Sequence, residues 1–213
     1  MAIRISVKGL AKFMTSTPAR QRKILRDYKF PKPEGVAQAK YYAPARSAIH
    51  EYHAQQNDRA VLKKAVDDLN KRSAMTPNKL ISGKLDNNVR AIECYMKYFS
   101  QNHFDVLPIP PLQLVRGNVL VTATPDLFVT EKGRYQLIKL ELGAKVPRPE
   151  VIRIITQVIF EATDGLIQVA PKDVLFLDVI RGTLSRGARI RTRLKADIDA
   201  ACRNIEDMWP NII

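Results

Sequence analysis

The chain has 213 residues, 46% hydrophobic and 26% charged, which suits one well-buried core and leaves too little length for two full-sized domains. Lys and Arg outnumber Asp and Glu by 35 to 21, a net charge of +14, so polyanions are the favoured partners, nucleic acid first, with an acidic protein or a membrane surface as the alternatives. The two cysteines, Cys94 and Cys202, cannot make a disulfide framework, and neither a continuous apolar leader nor the roughly 20 apolar residues of a bilayer span is visible, so the expectation is a cytoplasmic protein without a membrane partner.

Residues 1–40 carry ten Lys or Arg against Asp27 and Glu34, with Pro18, Pro31 and Pro33 interrupting any long helix. This stretch reads as a basic arm packing on the core. Within it, Val7, Leu10 and Phe13 or Met14 stand at near-helical spacing and predict a short helix over residues 6–13. Pro44 opens a second predicted helix, about 45–55. A third covers about 59–72, where Val61, Leu62, Ala65, Val66 and Leu69 form an apolar stripe. A fourth covers about 86–101, with Val89, Ile92, Cys94, Met96 and Phe99 on its buried side. Residues 41–103 therefore form a helical region.

After Pro108, Pro110 and Pro111 the period changes to two. Leu112 and Leu114, Val119 and Val121, Leu127 and Val129, then Leu137 to Leu142 read as short strands. Arg116-Gly117-Asn118 and Glu131-Lys132-Gly133-Arg134 are turn sequences that predict antiparallel hairpins. A helix over about 150–162, strands over 174–180 and 188–192, and a closing helix over 196–208 complete residues 104–213. The fold class expected is α/β, a mixed central sheet flanked by helices with a helical N-terminal part, in one compact domain overall.

Alternation puts Lys139 and Glu141 on one face of their strand, and a hairpin returning from Asp126 brings a second carboxylate beside them. Two converging carboxylates are hard oxygen ligands for Mg²⁺ or Mn²⁺, and a neighbouring Lys can stabilise charge on an attacked phosphate. The plainer reading is the solvent face of an edge strand.

Pro125-Asp126 opening a strand, Lys139-Leu-Glu141 before Gly143, and Gln157 on the following helix resemble the signature of the PD-(D/E)XK nuclease superfamily, RecB-type branch, including its CRISPR-associated members. Residues 6–18 are similar to the family's opening segment, residues 45–50 to the helix that supplies its metal-binding His, and Val174 to Gly182 with the basic segment after it to its last strands and helix. The resemblance implies a restriction-endonuclease-like core and a divalent-metal-dependent DNA nuclease. Asp126 and Glu141 would be the catalytic carboxylates and metal ligands, His50 a further ligand, Lys139 the phosphate-stabilising cation, and Gln157 a contact to nucleotide or metal-bound water.

The sequence departs from that pattern at the centre. The family's acidic-x-Lys is here Lys139-x-Glu141, with the charges exchanged, and Glu161 stands where an aromatic is expected. Thr17 replaces the Cys of iron–sulfur members, so no cluster is expected. Three readings stay open: Lys139 serves from the exchanged slot, Lys145 swings in, or the site is a lapsed one that repels the ion and leaves a DNA-binding or complex-assembly subunit.

Two basic groups are candidate nucleic-acid contacts: Arg20, Arg22 and Arg26 with Lys23 in the arm, and Arg181, Arg186, Arg189, Arg191 and Arg193 near the end. DNA is the expected polymer, with RNA open. Phosphate loops, dinucleotide fingerprints, zinc-protease and serine-hydrolase motifs are absent from the sequence.

Overall fold

The computed structural model describes residues 2–31, 40–188 and 192–213. Among them the chain is mixed α/β, with seven α-helices around two mixed sheets. The order is β1 (Ile3–Ser6), α1 (Val7–Met14), α2 (Pro18–Lys29), α3 (Ala43–Ala54), α4 (Arg59–Ala74), α5 (Lys79–Tyr98), β2 (Asp105–Leu107), β3 (Gln113–Arg116), β4 (Val119–Thr122), β5 (Leu127–Glu131), β6 (Arg134–Glu141), α6 (Pro149–Glu161), β7 (Val174–Asp178), β8 (Thr183–Arg186) and α7 (Thr192–Met208).

Both predicted hairpins form. β3 pairs antiparallel with β4, and Gly117 in their turn has φ +57°. β5 pairs antiparallel with β6 through Lys132 and Gly133, at φ +50° and +76°. Two consecutive positive φ values give a turn whose twist matches the flanking strands. The single expected sheet is in fact two: β1-β4-β3, with β1 parallel to β4, and β2-β5-β6-β7-β8, with β6 parallel to β7.

Alternation along the five-stranded sheet splits its side chains between two cores. Leu137, Val174 and Phe176 face a core shared with the small sheet, α1, α6 and α7. Ile138, Leu140, Leu175 and Leu177 face a second core under α3, α4 and α5. The α4 stripe packs there as expected, through Leu62 and Leu69 with Val61, Ala65 and Val66 beside them.

In the arm the expected short helix forms as α1, and a strand that was not expected, β1, precedes it. Ile3 and Ile5 are buried in β1, and Leu10 and Phe13 of α1 lie in the first core. Pro18, read as an interruption, is the first residue of a twelve-residue helix, since Pro at that position loses no helical hydrogen bond. Pro33 lies outside the described residues. Helix α5 starts at Lys79, earlier than expected, because the Asn78 side chain caps the Leu80 and Ile81 N–H groups. Of the strand expected over 188–192, residues 189–191 lie outside the described residues, and Thr192 instead begins α7. Among the described residues no helix is long and apolar enough to cross a membrane.

The second core contains His53, 2% exposed. Its Nδ1–H donates to Asn57 Oδ1 at 2.6 Å, leaving Nε2 to accept from the Tyr95 hydroxyl. Burial, opposed by the bond to Asn57, lowers its pKa from 6.5 to about 4. Above pH 6.5 the ring is neutral in both folded and unfolded chains, and stability is indifferent to it. Between 6.5 and 4 the unfolded chain takes a proton that the folded one refuses, so stability falls as pH falls, by up to about 3 kcal/mol. Urea midpoints measured from pH 7.5 to 4 are expected to show this decline, and His53→Gln to flatten it; an equally steep decline in the variant would contradict the assignment.

Candidate functional site

The site lies where β5 begins and β6 ends. Asp126 precedes β5, its N–H bonded to the Ile138 carbonyl at 2.8 Å, and Lys139 and Glu141 leave β6 on the side of the first core, the side of Leu137. The structure therefore brings the predicted Asp126 and Lys139 together: Lys139 Nζ is 3.2 Å from Asp126 Oδ2 and donates to the Thr124 carbonyl at 3.0 Å. Both side chains are largely buried, 8% exposed for Asp126 and 13% for Lys139. Burial lowers the Lys139 pKa; Asp126 opposes that shift, and the like charges of Lys8 and Arg46 add to it.

Two cations that sequence reasoning missed complete the arrangement. Lys8, on the first turn of α1, donates to Glu141 Oε2 at 2.9 Å. Arg46, on the first turn of α3, places Nε 3.0 Å from Asp126 Oδ1; that buried N–H is not aligned for a hydrogen bond, so the contact is one of charge alone. The backbone does the rest. Leu140 N–H donates to Asp126 Oδ2 at 2.8 Å and Gly143 N–H to Glu141 Oε1 at 3.1 Å. All four carboxylate oxygens thus have a cationic or N–H partner.

This donor set does not fit a divalent cation. Lys8, Arg46 and Lys139 face Asp126 and Glu141, three positive charges against two negative. At about 4 Å each pair of like unit charges costs on the order of 4 kcal/mol near a protein surface, and an entering dication would have to displace several partners at once. His50 is half-buried one turn beyond Arg46 on α3. It is not gathered with the two carboxylates: no group of three or more His, Cys, Asp or Glu suited to a metal is found among the described residues.

Gln157 lies in a different network. It is 6% exposed, and its Nε2 donates to Glu161 Oε1 at 2.8 Å. Glu161 pairs with Arg116, which also binds Asp199 across to α7. Arg181 is engaged as well. Its Nη1 is 2.8 Å from Asp178 Oδ2, and Nη2 donates to the Ala144 carbonyl. Asp178 sits beside Glu141 in the β6–β7 register.

Arg20, Arg22, Lys23 and Arg26 are exposed along α2, Arg186 is exposed on the edge strand β8, and Arg193 is exposed at the start of α7. Arg189 and Arg191 lie outside the described residues. No family model matches the chain, and no curated protein matches it in sequence.

Proposed function

We propose that the chain is a nucleic-acid-binding protein related in design to PD-(D/E)XK nucleases, in which a closed cluster of ion pairs stands where those enzymes hold metal. It is a binding or complex-assembly subunit rather than a cutting one. The observation that carries this reading is the pairing of all four oxygens of Asp126 and Glu141 with Arg46, Lys139, Lys8 and two backbone N–H groups. The exchanged order Lys139-x-Glu141 is its sequence counterpart. The net charge of +14 and the exposed Arg20, Arg22, Lys23 and Arg26 support a phosphate-directed, weakly sequence-specific grip.

The reading as a Mg²⁺- or Mn²⁺-dependent DNA nuclease draws on one observation, the convergence of Asp126, Lys139 and Glu141 at one end of the sheet. It requires Lys8 and Arg46 to leave both carboxylates. Fluorescence anisotropy with labelled single- and double-stranded DNA and RNA, in EDTA, tests the preferred reading. Binding that needs no metal and weakens with salt is the expected result; absence of binding to every polymer at low salt would refute it.

A further inference from the structure

Tyr41 and Tyr42 stand immediately before α3, half-buried, with ring centroids 4.8 Å apart and planes at 59°. Tyr42 packs against the edge of the second core and Tyr41 lies outside it, so neither is enclosed as Tyr52 and Tyr95 are, yet the segment is fixed with care. Asn88 of α5, 0% exposed, donates to the Tyr41 carbonyl at 3.0 Å and accepts from Ala45 N–H at 3.0 Å. Burying an amide costs free energy unless its hydrogen bonds are met. Here they are met by pinning the chain at Tyr41 and at Ala45, on either side of Tyr42, to α5. Asn87 adds a bond from Nδ2 to the Tyr41 hydroxyl at 2.9 Å, and Lys84 holds its Nζ 5.6 Å from the Tyr41 ring centre.

The surroundings are cationic. Arg90 is exposed on α5, and the Tyr42 phenol lies in the fields of Glu141, Arg90 and Arg46, beside the Asp126–Glu141 cluster. Rigid aromatic rings at the surface flanked by Lys and Arg have the chemistry that holds unpaired bases: every base offers a π-face, and the neighbouring cations take the phosphates. A duplex hides those faces within its stack.

We propose that Tyr41 and Tyr42 are a stacking platform for the bases of a single-stranded nucleic acid whose phosphates are held by Lys84 and Arg90. The proposal rests on the nucleic-acid reading above and names the form of polymer that this site selects. Phosphate contacts alone bind single and double strands alike, so discrimination between them is the platform's signature.

The test is anisotropy of the full chain with three labelled probes: a mixed-sequence single strand, its duplex, and a single strand of the same length made of abasic nucleotides. Tyr41→Ala is expected to weaken single-strand binding about 5- to 150-fold and to leave duplex binding unchanged. Tyr41→Phe, which keeps the ring, retains single-strand binding. The abasic strand, which needs no variant, is expected to bind the native protein no better than the ordinary strand binds Tyr41→Ala. Equal binding of the abasic and ordinary strands by the native protein overturns the platform and leaves the nucleic-acid reading standing. Failure of the native protein to bind any of the three probes overturns that reading, and the platform with it.

Discussion

Replacing Asp126 with alanine is expected to cost about 3–5 kcal/mol of folding stability, read as a lower urea midpoint at unchanged slope. The size of the effect comes from what is left behind. Lys139, 13% exposed, would keep the Thr124 carbonyl but lose its counter-ion, with Lys8 and Arg46 still adding to the positive field around it. The Leu140 N–H would lose its side-chain acceptor as well. A buried charge with no opposite partner is far more costly than no charge at all. Hence the combined replacement Asp126→Leu with Lys139→Met should recover most of the loss, because it removes both charges. Arg46, 30% exposed, can then turn its guanidinium to water. A double variant as unstable as Asp126→Ala would show that the pair is not what holds this end of the sheet.

The second large effect is on binding. A footprint that neutralises about six phosphates releases their counterions, and duplex affinity then falls about 10³-fold between 50 and 200 mM salt. Arg20, Arg22, Lys23 and Arg26 lie exposed on one helix, with Arg186 and Arg193 exposed elsewhere. Substituting one phosphate-contacting Arg should lower the slope of log affinity against log salt by about one. Arg20→Ala, Arg22→Ala and Arg26→Ala combined are therefore expected to lower it by about three, with little change in which sequences bind. An unchanged slope would remove α2 from the interface. Arg181 is a poorer candidate than its sequence neighbours suggested, since Asp178 and the Ala144 carbonyl already hold its guanidinium.

What the sequence revealed, and what it concealed, divides by distance along the chain. The hairpin at Lys132-Gly133 and the α4 stripe of Leu62 and Leu69 are local patterns, and both were legible. So was the placing of Lys139 and Glu141 on one face, because a strand's period is two. Strand β1 was not legible as such. Its four residues pair with β4 more than a hundred positions away, and the charge of the arm obscured the alternation of Ile3 and Ile5. The same holds for the site. Lys8 meets Glu141 across 133 positions, and periodicity along one dimension does not say which cation reaches which carboxylate. Gln157 is the opposite case: Glu161 one helical turn later is a local partner, and that spacing was a signal that its amide would be occupied nearby.

The most direct test of the central claim is to incubate end-labelled single- and double-stranded DNA with the native protein in Mg²⁺, in Mn²⁺ and in EDTA, reading bound and cleaved fractions from the same samples. Intact DNA is expected throughout, with binding in EDTA at least as strong as in Mg²⁺ or Mn²⁺, which compete for the phosphates. Metal-dependent cleavage that disappears in Glu141→Gln, a substitution at a carboxylate 22% exposed and therefore unlike Asp126 in its structural cost, would contradict the central claim and establish a working nuclease.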